Sequence, residues 1–245
     1  MKKLYTLFCL TLLFLTGCSS DSDSNAATSG DGTGGSTAIF VLKGDYLYAV
    51  DDANLTVFSL LNANGPVKIN DMYVGFRIET LFADGNYLYV GSRNGMYIYS
   101  LEHPENPEYM SSAQHFTACD PVVANNTHAF VTLHSNTRCG NNINQLQIYN
   151  IANPQAPQMI HARNLVSPKG LGLYGNYLIV CDDVIKIFDI SNAAEPVLAT
   201  SIQAECHDVI IDGNTLFAIG NRAVFNYTLN AANITQHTLN SRVEF

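Results

Sequence analysis

The chain has 245 residues, of which only 13% are charged, and its formal net charge at pH 7 is −9. An acidic chain without a basic cluster is repelled by nucleic acid and by anionic lipid surfaces, so nucleic acid is excluded as a partner. Residues 38–245 are long enough to form one domain with a substantial core.

The N-terminal residues have the pattern of an export signal. Met1–Lys3 is basic, and Leu4–Thr16 is an uncharged, apolar stretch of 13 residues, which is too short to cross a bilayer. The sequence Leu15-Thr16-Gly17-Cys18 resembles a bacterial lipobox. We expect residues 1–17 to be a signal peptide and Cys18 to carry a lipid anchor. The alternative is an ordinary secretory signal followed by an incidental cysteine.

Residues 18–37 are rich in Ser, Asp, Gly and Thr and contain almost nothing to bury. Such a composition does not offset the loss of chain entropy on folding, so we expect a disordered tether. Ser19, directly after the lipidated cysteine, favours an outer membrane, and Asp21 and Asp23 are compatible with surface export. The expected location is the bacterial cell envelope, with the lipid anchor as the membrane contact.

A five-residue phrase, first seen as Leu47-Tyr-Ala-Val-Asp51, returns about every forty residues. Each copy follows a tight turn, and spacings of 41, 41, 49 and 38 residues separate the turn centres, which are Gly44, Gly85, Asn126, Gly175 and Gly213. Gly and Asn suit these centres because tight hairpins require a positive φ. The long third interval holds an insertion at residues 135–144.

A third strand follows each predicted hairpin, as in Lys186-Ile-Phe-Asp-Ile190, and four of the five repeats then contain proline, as at Pro196. Proline lacks an N–H and suits the entry to an outermost fourth strand. Four antiparallel strands per repeat of about forty residues, repeated five times, predict an all-β, five-bladed β-propeller over residues 38–245. A β-helix would need shorter coils, and the apolar spacing of helical repeats is absent.

Three segments resemble a known family: Leu178-Ile-Val-Cys-Asp182, Ile187-Phe-Asp-Ile190 and the Asn-Pro-x-x-Pro connection at residues 153–157. They are similar to the LVIVD repeat of bacterial cell-surface and envelope lipoproteins. The resemblance implies a propeller lipoprotein and supplies no catalytic motif.

Four cysteines follow the lipobox, and an oxidising compartment favours two disulfides among three possible pairings. The repeat register places Cys119 and Cys206 at the start of innermost strands, Cys139 in the insertion and Cys181 near the end of a second strand. All four should lie on one face, so we expect the disulfides Cys119–Cys139 and Cys181–Cys206. A tetrathiolate metal site is the alternative, but close Cys-x-x-Cys pairs are missing and we expect no metal.

The position six residues before each turn centre is expected to face the mouth of the central channel. It holds Glu79, Asp120, Lys169 and His207 in repeats two to five. In a chain with few charges, this predicts a small polar pocket for a sugar, a peptide end or a cation, with His134 and Arg138 of the insertion as a lid. The alternative is a set of solvated, mutually paired side chains at a wet surface.

A glycosidase would need two carboxylates, one as acid and one as base, and Glu79 and Asp120 are the candidates for these roles. Phosphate loops, nucleophile elbows and His-Glu-x-x-His motifs are absent from the sequence, and no cofactor is expected. The sequence therefore favours a non-catalytic binding or scaffolding module for an envelope protein, a peptide or a glycan. A glycoside hydrolase or other hydrolytic enzyme is the alternative.

Overall fold

The computed structural model of the chain describes residues 34–75, 77–114, 121–135 and 142–245. Within these ranges the chain forms twenty strands in five antiparallel sheets of four strands each. The sheets follow one another along the sequence, and one strand of each lines a common central cavity. The predicted all-β, five-bladed propeller is confirmed.

The strands are numbered in chain order, four to a blade, with the first of each four at the channel. Blade 1 consists of β1 (Phe40–Lys43), β2 (Tyr46–Val50), β3 (Asn54–Ser59) and β4 (Val67–Tyr73). Blade 2 consists of β5 (Ile78–Asp84), β6 (Tyr87–Ser92), β7 (Gly95–Ser100) and β8 (Glu108–Gln114). Blade 3 consists of β9 (Val122–Ala124), β10 (His128–Leu133), β11 (Gln145–Asn150) and β12 (Gln158–Asn164). Blade 4 consists of β13 (Leu171–Tyr174), β14 (Tyr177–Cys181), β15 (Ile185–Asp189) and β16 (Val197–Ile202). Blade 5 consists of β17 (Asp208–Asp212), β18 (Thr215–Ile219), β19 (Ala223–Leu229) and β20 (His237–Glu244).

Each blade is a simple meander from the channel outwards, with neighbouring strands also neighbours in sequence. The prolines predicted to open the fourth strands do so, since Pro66, Pro107, Pro157 and Pro196 immediately precede β4, β8, β12 and β16. In every blade the pairing of the third and fourth strands shifts near the middle of the third strand, which adds local twist to the outer edge.

Four of the five tight turns have the predicted backbone, because Gly44, Gly85, Gly175 and Gly213 all have φ near +55°. The prediction was wrong for Asn126, which does not adopt a positive φ. The side chain of Asn125 organises this turn instead, accepting hydrogen bonds from the backbone N–H groups of Thr127 and His128 at 3.0 and 2.9 Å. An Asx-type turn thus replaces the glycine turn.

Four apolar clusters hold the blades together, one each between blades 1 and 2, 2 and 3, 3 and 4, and 4 and 5. Each arises because successive strand residues alternate between the two faces of a blade. We call the face of a blade that points towards the blade before it in sequence its preceding face, and the opposite one its following face. Among the described residues, no such cluster joins blade 5 to blade 1.

Polar contacts at the rim follow the same order. The proline-containing connections of blades 2, 3 and 4 each present a carbonyl oxygen to the blade before them. Tyr48 Oη donates to the carbonyl of Pro104 at 2.8 Å, Ser111 Oγ to that of Pro154, and Arg163 to that of Pro196 at 2.8 Å. These three bonds therefore link blades 1 to 2, 2 to 3 and 3 to 4 at the rim.

Candidate functional site

The innermost strands enclose a cavity of about 230 Å³ along the propeller axis. Its walls are mostly aliphatic and come from all five blades; they include Val41, Leu81, Val123, Leu171 and Val209. Asp84 is the one ionisable side chain among the described lining residues. General acid–base chemistry needs positioned proton donors and acceptors, and these walls offer few of them.

Residues 34–37, which the sequence assigns to the tether, lie at one mouth of this channel. Ser36 is fully buried; its hydroxyl donates to Asp208 Oδ1 at 3.0 Å and accepts from the backbone N–H of Leu171 at 2.7 Å. Thr37 donates to Asp208 Oδ2 from both its backbone N–H and its hydroxyl. The chain's own N-terminal segment therefore occupies the mouth.

Gly170 makes this arrangement possible. A Cβ at that position would collide with the Asp208 side chain and would stand 2.7 Å from the carbonyl oxygen of His207. The backbone of Gly170 also donates to that carbonyl at 2.8 Å, which fixes the start of β13 against the start of β17. Close approach of blades 4 and 5 at the mouth thus depends on the missing side chain.

Glu79 is half-buried at an irregularity in the pairing of β5 with β6 and lines a surface pocket of about 380 Å³. The same pocket is lined by Asp52, Arg77, Ile78 and Arg93, which come from the adjoining loops of blades 1 and 2. It therefore combines two carboxylates with two guanidinium groups.

Two features of this pocket are unusual. Arg93 is only 9% exposed, and its Nε has no hydrogen-bond partner. Arg77 has a φ of +56°, a conformation that costs energy for a residue other than glycine, and its carbonyl accepts from the backbone N–H of Arg93 at 3.1 Å. A nearly buried donor without a partner is costly, so the pocket favours a ligand that can accept a hydrogen bond from Arg93.

Lys169 lies in a different setting. Its backbone N–H donates to the carbonyl of Cys181 at 2.7 Å, and its carbonyl accepts from the Thr132 hydroxyl. The pKa of His134 lies below its usual value, mainly because the imidazole is partly buried and also because the charge of Lys169 is near. The predicted lid residue His134 is therefore a neighbour of Lys169, while Arg138 lies outside the described residues.

The imidazole of His207 is directed towards the β18–β19 turn of its own blade, where Nε2 lies 2.6 Å from Asn221 Oδ1. Of the predicted channel-mouth residues, Asp120 lies outside the described residues. The pocket that Glu79 lines is not lined by Lys169 or His207. Ligand binding by this set stays a prediction.

Sequence reasoning missed Asp208, which makes most of the contacts to Ser36 and Thr37. Asp208 stands five residues before its turn centre, where the other repeats have Ile39, Thr80, Pro121 and Gly170. Asp208 is the only ionisable residue at this repeat position, and the aligned repeats could have shown it to be exceptional.

The structure contains the predicted Cys181–Cys206 disulfide, with a Cα–Cα distance of 5.3 Å. Both residues are buried in the cluster between blades 4 and 5, so the bond joins the two blades. Cys119 and Cys139 lie outside the described residues, as do Cys18 and the whole predicted signal peptide.

Within the described ranges, no three His, Cys, Asp or Glu side chains gather closely enough to hold a metal ion. The same part of the chain contains no helix that is long and apolar enough to cross a membrane.

Twenty strands in five four-stranded blades around one channel define the class of this protein as a five-bladed β-propeller. The model of the LVIVD repeat matches residues 79–99 and 168–204. The chain is therefore a five-bladed β-propeller that contains LVIVD repeats, as its sequence indicated. No curated protein matches the sequence significantly.

Solved structures share the fold at low identity. A protein from Lactobacillus plantarum superposes with a TM-score of 0.67 and 11% identity, covering 81% of this chain and 67% of that one. The periplasmic gluconolactonase PpgL of Pseudomonas aeruginosa superposes with a TM-score of 0.60 and 12% identity, and the match covers 82% of this chain and 68% of that one. A chain in the S. cerevisiae complex of Dbp5 bound to Nup159 has a TM-score of 0.50 and 13% identity, and the match covers 81% of this chain and 58% of that one. Such identities show the fold alone.

Proposed function

We propose that this protein is a lipid-anchored component of the bacterial envelope, whose propeller is a non-catalytic module that binds another envelope protein, a peptide or a glycan. The observation that carries the proposal is the channel mouth, where Gly34–Thr37 fills the space that a catalytic centre on the axis would need. The aliphatic walls of the cavity behind it add to this support.

The ligand site of this proposal is the pocket of Glu79, Arg77 and Arg93 on the surface between blades 1 and 2. A guanidinium group binds a carboxylate through charge-assisted hydrogen bonds, and partial burial of Arg93 strengthens such bonds. Asp52 and Glu79 add acceptors for amide or hydroxyl groups beside it. This donor and acceptor set suits the carboxylate end of a peptide or an acidic sugar.

The test is a pull-down from envelope extracts with the soluble chain from Ser19 onwards. We expect the wild type to recover a partner that the Glu79→Gln/Arg93→Gln double variant loses. Arg242→Gln is the matched control, because Arg242 is an exposed arginine on β20. Equal recovery by the double variant would show that this pocket is not the site, and a triple alanine variant of Asp120, Lys169 and His207 then tests the remaining predicted residues.

Lipid anchoring has a test of its own. Incorporation of labelled palmitate should be lost in Cys18→Ala, and the variant protein should leave the membrane fraction. Protease treatment of intact cells then distinguishes a surface-exposed protein from a periplasmic one. Labelling that survives Cys18→Ala would contradict the lipobox assignment.

A hydrolytic enzyme is the second candidate, because a periplasmic gluconolactonase is built on the same fold. A screen of the purified domain against lactones and glycosides, with Glu79→Gln as the comparison variant, separates the two candidates. Turnover that Glu79→Gln abolishes would replace the binding module with the enzyme.

A further inference from the structure

Blade 1 exposes side chains at repeat positions that every other blade buries. Four residues before the turn centre, Phe40 is 58% exposed, whereas its four counterparts are at most 1% exposed; these are Leu81, Val122, Leu171 and Val209. Three residues after the turn centre, Leu47 is half-buried, whereas its counterparts Leu88, Ala129, Leu178 and Leu216 are fully buried. Phe58 on β3 differs in the same way from the buried Tyr99, Tyr149, Phe188 and Tyr227. These residues form the preceding face of blade 1, and nothing described covers it.

Blade 5 shows the reciprocal pattern on its following face. Phe217 is half-buried, whereas Tyr48, Tyr89, Phe130 and Ile179 at the same position are at most 1% exposed. Val224 is half-buried, whereas Leu55, Met96, Leu146 and Ile185 are fully buried. Ile219 is 38% exposed, whereas its counterpart Cys181 is fully buried. We call these two uncovered faces together the open seam.

The two faces of the open seam are complementary in kind. In each of the four filled seams the following face of one blade packs against the preceding face of the next. Blade 5 therefore carries the kind of surface that fits blade 1, and both lack a partner within the described chain. A second copy supplies both surfaces.

Residues 19–33 of the predicted tether do not supply a cover. Residues 19–33 contain only Ser, Asp, Asn, Ala, Thr and Gly, so they have no large apolar side chain to place against Phe40 or Phe58. Blade 1 is also held on its other side, because the carbonyl of Ala38 accepts from the backbone N–H of Leu81 at 2.8 Å and the cluster with blade 2 is complete. Apolar faces of this kind on a soluble domain mark interaction surfaces.

We propose that copies of this chain associate by packing the preceding face of blade 1 of one copy against the following face of blade 5 of another. The contact is heterologous, so each copy has one surface of each kind and association continues until the arrangement closes. It goes beyond the proposed ligand site, which lies between blades 1 and 2.

The test is the assembly state of the soluble chain from Ser19 onwards, measured by sedimentation velocity over a range of concentrations. Phe40→Asp places a charge on the blade 1 face, and Ile219→Asp places one on the blade 5 face. We expect the wild type to associate and each variant alone to be monomeric. Val197→Asp is the control, since Val197 is 64% exposed on β16, outside the seam, and should leave association unchanged.

Mixing the two variants is the decisive measurement. Phe40→Asp retains an intact blade 5 face and Ile219→Asp an intact blade 1 face, so their mixture should form a dimer and nothing larger. A far-ultraviolet circular dichroism spectrum unchanged from wild type and a single cooperative urea transition show that both variants are folded.

Three outcomes overturn the proposal. A wild type that stays monomeric at every concentration means that the open seam closes within one chain or receives a different protein. Association that survives Ile219→Asp but not Phe40→Asp means that two blade 1 faces meet symmetrically. A mixture of folded variants that remains monomeric rules out the blade 1 to blade 5 contact. A ligand that still binds the monomer would leave the proposed function intact in each case.

Discussion

The seam between blades 4 and 5 and the open seam between blades 5 and 1 are built from the same repeat positions, yet they end in different states. The first buries Ile179, Ile187, Leu216 and Tyr227 and is crossed by a disulfide. The second leaves Phe40 more than half exposed. Each blade thus carries one face for each of its two neighbours, but a face is buried only where a neighbouring blade packs against it.

The sequence itself differs slightly at the open seam. Four blades have fully buried Val57, Ile98, Ile148 and Ile187 at one position of the third strand, where blade 5 has Asn226. The side chain of Asn226 accepts from Asn240 Nδ2 on β20 at 2.9 Å. A polar group at this position lowers the free energy gained by burying the following face, so a partner there gains less than a filled seam does.

Among the changes that compare the two seams, removing the disulfide is expected to lower the free energy of unfolding most. Cys181 and Cys206 are 25 residues apart, and closing a loop of that length stabilises the fold by roughly 3.5 kcal/mol in the chain-entropy model. The Cys181→Ala/Cys206→Ala variant should therefore unfold at lower urea concentration than wild type, as measured by circular dichroism. Unchanged stability would mean that the apolar cluster alone determines the strength of this seam.

Matched leucine truncations compare the seams directly. Leu178 is fully buried between blades 3 and 4, and Leu47 occupies the same repeat position at the open seam. Leu178→Ala should cost about 3 kcal/mol of unfolding free energy, because it leaves a cavity in a packed core. Leu47→Ala should cost about 1 kcal/mol, because its side chain is already partly in water. Equal losses in urea titrations would show that the open seam is filled in solution.

Asp208 provides the hydrogen bonds at the channel mouth, next to the open seam. Asp208→Ala removes the acceptor for Ser36 Oγ and for both donors of Thr37, and we expect a loss of about 2 kcal/mol. Amide exchange at Thr37 and Leu171 should accelerate. Asp212→Ala at the other end of β17 is the control, since Asp212 is exposed. Unchanged exchange at both amides would mean that Gly34–Thr37 is held by other contacts.

The smallest expected effect is a dependence of stability on pH that originates at filled seams. Burial lowers the pKa of His128, and burial together with Lys169 lowers the pKa of His134. The unfolded chain then binds protons at a higher pH than the folded chain, so these residues contribute full stability above about pH 6.5 and lose it as the pH falls.

The measurement is the urea midpoint between neutral and mildly acidic pH. A His128→Gln/His134→Gln variant should show a shallower decline than wild type. Thr215 takes the position of His128 at the open seam, so no titration is expected from that position there. A decline of equal slope in the variant would assign the dependence to other groups.

Most of the fold could be predicted from local pattern. The four glycine turns, the prolines before β4, β8, β12 and β16, and the alternation of the strands are short-range properties, and each repeat states them again. The error at Asn126 is also local, because a neighbouring side chain, Asn125, can form a turn without a positive φ.

The candidate site was less predictable. The repeat register put Glu79, Lys169 and His207 at one repeat position, but it carried no information on where each side chain points. The imidazole of His207 is hydrogen-bonded to Asn221 in its own blade, and Glu79 shares a pocket with Arg93 of the β6–β7 turn. These directions depend on loops that differ between repeats, so the alignment carried no information about them.

The sequence by itself determined the number of blades, the order of the strands and one cross-link, because periodicity and turn chemistry act over a few residues and recur five times. Only the tertiary structure decided that Gly34–Thr37 occupies the channel mouth, that Arg93 is nearly buried, and that one of five seams is open. The physical reason is that burial depends on neighbours distant in sequence, and the same apolar positions are core in one blade and surface in another.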